Sequence, residues 1–289
     1  MKSRLYFSPE TLDHDPGPGH PESPARLEAL KDLIDEVQFH DLEIVQPQMA
    51  SKNQILLAHK QSHYEDIEDT EPEQGRISMD DGDTYMVPGS FAAALYAAGA
   101  PCQAVDDIAS GKIKRAFCMN RPPGHHAEPD RAMGFCFFNN VFVGAMHARQ
   151  AYDFQKIAII DFDVHHGNGT QSMTEKEDGI FYVSSHEWPL FPGTGSPEEN
   201  VRHKVLNVTL ERGEGSEDVR KKYQDIILPD LRSFKPEIVF ISAGFDAHKD
   251  DTIAGLNFTD EDFVWLTSKL TDIAEEFCEG RLVSVLEGG

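Results

Sequence analysis

Short apolar runs alternate with longer amphipathic patterns along the chain, and this alternation constrains the fold more than any other feature. The short runs are rich in β-branched and aromatic residues and predict buried strands. They cover residues 4–7, 116–119, 156–162, 180–184, 205–208, 237–242 and 282–286. Helices are predicted over residues 24–37, 90–109 with a break near 99–101, 140–152, 217–234 and 259–277. This order predicts an α/β fold, a parallel sheet with helices on both faces.

The chain has 289 residues, enough for one large α/β domain or two smaller ones. No Ser-, Gly- or Pro-rich linker divides it, and it has no internal repeat. Residues 65–83 are acidic and poor in apolar side chains, which predicts a surface loop rather than a domain boundary. We therefore expect a single domain over residues 1–289.

The charge balance excludes several classes of partner. Asp and Glu number 50 against 26 Lys and Arg, which gives a net charge of −24. Such a surface repels duplex nucleic acid and anionic membranes, and it attracts cations such as polyamines or lysine-rich peptides. A solvated coat that keeps the protein soluble explains the same charge. We expect no direct binding of nucleic acid or membrane, and the sequence indicates no oligomeric state.

The sequence pattern favours a reducing compartment. Residues 1–10 lack the apolar core of an export signal, and no apolar run approaches the ~18 residues that span a membrane. The four cysteines form no Cys-x-x-Cys pair and lie mostly in apolar segments, which favours buried free thiols over disulfides or a structural zinc site. We expect a cytoplasmic protein.

Unusual polar residues directly follow five of the predicted strands. They form clusters at residues 120–126, 161–169, 184–186, 242–248 and 287–289. Open parallel sheets bind ligands at the carboxyl ends of their strands. The five loops are therefore expected to converge on one site.

Two of these clusters contain residues that can bind a metal ion. Asp163 and His165 are two positions apart, so in an extended segment their side chains point the same way. Asp246, after another strand, can supply a third ligand. Two carboxylates, one imidazole and an open position are typical of a catalytic metal site, for which Zn²⁺, Fe²⁺ or Co²⁺ is suitable. Taken alone, the Asp-x-His pair favours a surface loop, whereas Asp246 and His125-His126 at the same edge of the sheet favour the metal site.

A tandem histidine pair, His125-His126, follows a Pro-Pro-Gly turn. Neighbouring histidines near a metal can divide acid–base work, one neutral as the base and one charged as its electrostatic partner. Each ring needs an orienting acceptor, and Asp161 and Asn168 of the metal loop could serve. The alternative is a structural histidine bonded to backbone.

Assembled in this order, the motifs resemble the zinc-dependent histone deacetylase superfamily, which includes acetylpolyamine amidohydrolases and acetoin-utilization proteins. The matching segments are RPPGHHAEPDRAMGFCFFNN (121–140), IIDFDVHHGNGTQ (159–171), FPGTG (191–195), ISAGFDAHKDD (241–251) and LEGG (286–289). RPPGHHA and Asn168 resemble the class II-like branch. The resemblance spans nearly the whole chain and implies the sandwich fold shared with arginase.

The resemblance also implies roles for single residues. It implies that Asp163, His165 and Asp246 bind Zn²⁺. It implies that His126 is the general base and acid, oriented by Asn168, and that His125 is its charged partner, held by Asp161. The walls of a narrow substrate tube would come from Gly134, Phe135 and Phe191. A structural K⁺ site would be formed by Asp161, Asp163, His165, Ser184 and Ser185.

These roles imply a metal-dependent amidohydrolase that removes acetyl groups from acetyl-lysine peptides or acetylpolyamines. In the resembled family a Tyr that donates to the oxyanion follows the Glu-Gly-Gly turn, whereas this sequence ends at Gly289. We expect a C-terminal truncation. Two alternatives stay open: a catalytically weak module that binds acetylated ligands, and an arginase-like hydrolase with two metals.

Overall fold

The computed structural model describes residues 3–37, 39, 42–80 and 82–289. The predictions for residues 1–10 and 65–83 include Met1, Lys2 and Asp81, which lie outside the described residues. The strands are β1 (Ser3–Tyr6), β2 (Leu42–Val45), β3 (Ile77–Ser78), β4 (Tyr85–Met86), β5 (Arg115–Cys118), β6 (Ile157–Asp161), β7 (Ile180–Glu187), β8 (Val205–Leu210), β9 (Ile238–Ala243) and β10 (Leu282–Leu286). The helices are α1 (Ala25–Val37), α2 (Lys52–Ile55), α3 (Gln61–Thr70), α4 (Ser90–Ala109), α5 (Asn140–Tyr152), α6 (Asn168–Thr174), α7 (Ser216–Lys222), α8 (Leu228–Phe234) and α9 (Asp260–Phe277).

Across the described residues, eight strands form one sheet in the order β2-β1-β5-β10-β9-β6-β7-β8. Every pairing within it is parallel, and β3 and β4 form a separate antiparallel pair. Parallel neighbours require crossover connections, which the helices provide. The predicted α/β fold is therefore confirmed.

Both faces of the sheet are covered, as the apolar runs predict. In the central strand β6, Ile157 and Ile159 join a core that includes side chains of α4 and α5. Ala158 and Ile160 point the other way, into a core that includes side chains of α7, α8 and α9. Burying an isoleucine side chain contributes roughly 1.5–3 kcal/mol, so this strand is held firmly on both sides.

Helix α4 runs without a break through Gly99 and Pro101, where the sequence predicts an interruption. A Cβ on Gly99 would overlap the backbone of Gln48, so the glycine permits close packing rather than a break. Beside it, the Ala50 amide donates to the Leu95 carbonyl at 2.8 Å. Packing therefore holds the helix despite the hydrogen bond that Pro101 removes.

The acidic stretch 65–83 is only partly the predicted surface loop. Its first six residues lie in α3, where Ile67 is fully buried and Tyr64 lies one helical turn before it. Ile77 and Ser78 form β3. Counting apolar residues misses α3 because two well-placed side chains anchor a helix whose other faces are solvated.

Other elements differ at their boundaries. The edge strand β2 is unpredicted, because its four residues, two exposed and two half-buried, carry no alternating pattern. Residues 217–234 form α7 and α8, joined by a π-helical turn at Tyr223–Ile227. Thr259 caps α9, and its backbone amide donates to the Asp262 carboxylate at 2.9 Å.

Among the described residues, no helix combines the length and apolar character needed to cross a membrane.

Candidate active site

The carboxyl ends of the central strands meet at one edge of the sheet. Asp161, the last residue of β6, is in register with Ser184 of β7 and Ser242 of β9. The loops after these strands open onto a cavity of about 440 Å³. Its lining includes His125, His126, Gly134, Phe135, Asp163, His165, Phe191 and Asp246. Asp161, Asn168, Ser184 and Ser185 lie behind this surface and are buried.

Asp163, His165 and Asp246 come together although 81 residues separate the last two. One ligand atom of each lies within 4.8 Å of the others. His165 Nδ1 lies 3.2 Å from Asp163 Oδ1 and 3.1 Å from Asp246 Oδ2. The sequence predicts this trio, and the structure brings it together.

Backbone amides fix the two carboxylates. The Gly288 amide donates to Asp163 Oδ2 at 2.9 Å, and the Val164 amide donates to Asp246 Oδ1 at 2.9 Å. A Cβ on Gly288 would collide with Asp246 Oδ2 and lie 2.7 Å from Asp163 Oδ2. Only glycine allows the β10 loop to approach this closely, so the turn after β10 is part of the same centre.

The electrostatics of the trio favour a bound cation. Burial would lower the pKa of His165, but its hydrogen bonds to Asp163 and Asp246 outweigh burial and raise that pKa to about 10. Burial and the neighbouring Asp163 charge raise the pKa of Asp246 to about 6. Two buried carboxylates are therefore stabilised by positive charge between them, and their oxygens with the imidazole nitrogen fit a divalent metal ion.

His125 is held as a charged imidazole. Its Nδ1 donates to Asp161 Oδ2 at 3.0 Å, and its Nε2 lies 3.9 Å from Asp163 Oδ2. Burial would lower the pKa of His125, but the charges of Asp163 and Asp161 outweigh it and raise that pKa to about 10. The Tyr182 hydroxyl donates to the same Asp161 oxygen at 2.9 Å. Asp161 is therefore fixed from two sides.

His126 is the neutral member of the pair. Burial, together with the positive charges of His125 and His165, holds the pKa of His126 well below its usual value. Its Nδ1 donates to Asn168 Oδ1 at 2.8 Å, which leaves Nε2 as the basic nitrogen. The centroids of the His125 and His126 rings are 4.0 Å apart. One charged and one neutral imidazole thus stand side by side, next to the metal-ligand trio.

The backbone of the histidine pair is held by Glu287, to which sequence reasoning assigns no role. The buried Glu287 carboxylate accepts from the amides of Gly124 at 2.7 Å and His125 at 3.1 Å. It also accepts from the Ser242 hydroxyl at 2.9 Å. Burial raises the pKa of Glu287 to about 7. The sequence places Glu287 directly after a strand, where functional residues are expected. Its partners Gly124, His125 and Ser242 lie far away in sequence, so their contacts with it could not be predicted.

Two aromatic side chains of the cavity wall, Phe191 and Phe135, each lie next to a histidine ring. The Phe191 ring is 5.1 Å from that of His126, nearly perpendicular to it, and Phe191 is 45% exposed. The Phe135 ring is 4.8 Å from that of His20. Gly134 has a φ of 56°, and a Cβ there would lie 2.5 Å from His126 Cδ2. The backbone at Gly134 therefore presses directly on the His126 ring.

Charged residues also line the cavity. Asp83 and Asp251 belong to its lining, as does the half-exposed Ile253. Arg26 donates from Nε to the Gly289 carbonyl at 2.6 Å and from Nη2 to the Glu287 carbonyl. The lining is therefore chemically mixed, with apolar walls, the bound guanidinium of Arg26, and two acids, Asp83 and Asp251, in addition to the carboxylates of the trio and Glu22.

The residues predicted for a K⁺ site include Asp163 and His165 of the trio, and Asp161 and Ser185 lie close together next to them. Ser185 Oγ lies 3.5 Å from the Asp161 carbonyl, and it also pairs with the Tyr223 hydroxyl at 3.0 Å. Ser184 Oγ pairs with His186 Nδ1 at 2.8 Å. Both serine hydroxyls therefore have protein partners, and a cation here would depend chiefly on backbone carbonyl oxygens.

Comparison with known proteins identifies relatives along the whole chain. Residues 20–289 match the histone deacetylase domain family. Histone deacetylase 10, chloroplastic, of Oryza sativa subsp. japonica is 35% identical over 305 residues, covering 99% of this chain and 69% of the relative. A probable deacetylase of Archaeoglobus fulgidus is 36% identical over 296 residues, covering 100% and 81%. The histone deacetylase-like amidohydrolase of Pseudomonas aeruginosa is 35% identical over 277 residues, covering 94% and 72%.

A solved structure shows the same fold. The crystal structure of the HDA15 HD domain matches with a TM-score of 0.93 and 32% sequence identity. The match covers 100% of this chain and 83% of that one. The likeness in fold therefore extends along the whole of this chain.

Proposed function

The chain belongs to the histone deacetylase family, and from this premise we propose that it is a metal-dependent amidohydrolase that deacetylates acetyl-lysine peptides or acetylpolyamines. Family membership supports deacetylase or amidohydrolase activity, while the metal and the substrate belong to the proposal. One observation carries it. A neutral imidazole stands beside a buried Asp-His-Asp trio on the wall of an open cavity.

Asp163, His165 and Asp246 would hold the metal, with Zn²⁺ the first candidate and Fe²⁺ or Co²⁺ suited to the same donors. When bound, the ion would polarise the amide carbonyl and lower the pKa of water at the site. A structural K⁺ is proposed next to the trio, where it would be held by the backbone oxygens of Asp161, Asp163 and His165 together with Ser184 and Ser185.

His126 performs the proton transfers in this proposal. Its Nε2 takes a proton from the attacking water, because Nδ1 already donates to Asn168. The same nitrogen then gives that proton to the departing amine. Acetate and a free amine result. His125 is the charged partner of His126 in this proposal, and Asp161 holds it through the hydrogen bond to Nδ1.

The cavity lining supports an acyl-amine with a methylene stem. Phe135 and Phe191 can cover such a stem, since aromatic faces bury apolar surface efficiently. Asp83 and Asp251 would attract a positive charge carried farther along the substrate. This combination fits both proposed substrate classes, and the net charge of −24 acts in the same direction.

A substrate panel tests the proposal. Zinc-loaded protein is incubated with acetyl-lysine peptides, acetylpolyamines and longer acyl-lysines, and released acetate or acyl product is measured. We expect release from at least one class, and none from the His126→Ala variant with its metal retained. Binding of acetylated ligands without any release would contradict the hydrolase and favour the binding module. A metal content near two per chain would favour the arginase-like alternative.

Cytoplasmic residence stays a prediction that cell fractionation tests. All four cysteines are buried and free in the described structure, in keeping with a reducing compartment.

A further inference from the structure

The side-chain amide of Asn168 decides which nitrogen of His126 carries the proton. An amide has an accepting end and a donating end. With Asn168 Oδ1 facing His126 at 2.8 Å, Nδ1 is protonated and Nε2 is free to act as a base. With the amide reversed, its NH₂ would require an unprotonated Nδ1, and the proton would move to Nε2. His126 could not then accept a proton in the cavity.

The Asn168 amide contacts His126 with one end and Glu128 with the other. Asn168 Nδ2 donates to Glu128 Oε1 at 2.8 Å. Its other neighbours are weaker acceptors, the His126 carbonyl at 3.4 Å and Met133 Sδ at 3.3 Å. An ionised carboxylate can only accept hydrogen bonds. The end of Asn168 that faces Glu128 must therefore be its NH₂, which directs the oxygen to His126.

Glu128 is itself held in place by partners outside the cavity. Arg131 Nη2 donates to Glu128 Oε1 at 3.0 Å, and the Glu128 amide donates to the Arg131 carbonyl at 2.9 Å. The Glu128 carbonyl accepts from His59 Nδ1 at 3.0 Å. The Glu128 side chain is 26% exposed and does not line the cavity. Its carboxylate therefore contacts the histidine pair through Asn168.

We propose that Glu128 is a positioning residue, whose carboxylate sets the orientation of Asn168 and so keeps His126 in its base form. The expected loss of kcat rests on the proposed function, whereas the expected change in the His126 tautomer does not. In Glu128→Gln, the new amide can accept from Asn168 or donate to it, so both orientations of Asn168 become available. The residue at position 128 then no longer selects the tautomer.

The tautomer can be measured without turnover. Long-range ¹H–¹⁵N correlation spectra of zinc-loaded protein report which histidine nitrogens are protonated, and the signals lost in His126→Phe assign His126. We expect the Nδ1–H form in the parent protein and a substantial Nε2–H population in Glu128→Gln. An unchanged Nδ1–H form in Glu128→Gln would overturn the proposal, whether or not the parent protein releases acetate.

Kinetics provide the second test. We expect Glu128→Gln to lower kcat about tenfold with KM within about twofold, as for loss of a group that orients a catalytic side chain. The double variant Glu128→Gln with Asn168→Asp restores a one-way pair, because Gln donates to Asp and Asp can only accept from His126. It should recover most of the lost kcat, and a double variant no better than Glu128→Gln would count against the proposal.

Arg131→Gln is the matched control. It removes the partner of Glu128 but leaves the carboxylate on Asn168, and kcat should stay within about twofold of the parent value. An equal loss in Arg131→Gln and Glu128→Gln would show that the loop, rather than the carboxylate, is responsible, and would overturn the proposal.

Discussion

Replacing Gly134 by alanine tests how closely the cavity wall is pressed against His126. Gly134 has a φ of 56°, and a Cβ there would lie 2.5 Å from Cδ2 and 2.8 Å from Cγ of the His126 ring. The ring is buried and bonded to Asn168 at 2.8 Å, so it has little freedom to retreat. The methyl group must therefore shift the wall or the imidazole.

The expected magnitude follows from two separate costs. A left-handed conformation costs an alanine ~1–2 kcal/mol, and overpacking a buried site costs a further ~1–3 kcal/mol. We expect Gly134→Ala to lower the free energy of unfolding by about 2–5 kcal/mol. Gly111→Ala is a matched control, because Gly111 has a φ of 76° and nothing within 4 Å of a built Cβ. It should lose ~1–2 kcal/mol only.

Urea denaturation followed by circular dichroism gives both free energies, and kcat on the best substrate of the panel reports the position of His126. Displacing the imidazole should reduce kcat in Gly134→Ala and leave it unchanged in Gly111→Ala. Equal stability losses in the two variants, with unchanged kcat in both, would refute the close contact between Gly134 and His126.

Three further predictions concern the metal, the surface charge and pH. Asp246→Ala should abolish stable zinc binding measured by metal analysis, whereas Asp251→Ala should retain zinc; zinc at the parental level in the first variant would contradict the ligand assignment. Asp83→Asn combined with Asp251→Asn should raise KM for acetylpolyamines at low salt and leave a neutral acetyl-amine unaffected; equal effects on both would exclude charge selection. Burial and the nearby His63 lower the pKa of His59 to about 3, so folding favours its neutral form. The free energy of unfolding should therefore fall as pH drops from about 6.5 toward 3, because the unfolded chain binds the proton first; a His59→Gln profile equally steep in this window would show that other groups are responsible.

The edge of the sheet at which the site forms could be predicted because β6, β9 and β10 are mostly apolar and are followed directly by clusters of polar residues. Parallel strands with that pattern leave little choice of topology, so Asp163 and Asp246 were expected together although they come from different loops. Local chemistry was enough for these residues, since a strand end and a side-chain type are both visible in the sequence.

Supporting contacts could not be predicted in the same way. The bonds of Glu287 to Gly124 and of Glu128 to Asn168 join segments 163 and 40 residues apart. Their existence depends on loop conformations that no periodicity encodes. The unbroken helix through Pro101 has the same origin, because packing against a distant segment overrides local propensity. The sequence thus predicted the residues that meet at the site, including Asp161 and Asn168 beside the histidine pair, whereas the contacts of Glu287 and Glu128 were visible only in the folded structure.

The bonds from Arg26 to the carbonyls of Glu287 and Gly289 join residues more than 260 positions apart. During synthesis, a ribosome-bound chain without β10 already contains Asp163 and His165. It lacks the Gly288 amide, which donates to Asp163 Oδ2 in the folded protein. Such a nascent chain lacks this contact, so the arrangement described here is complete only after β10 and the turn that follows it have joined the sheet.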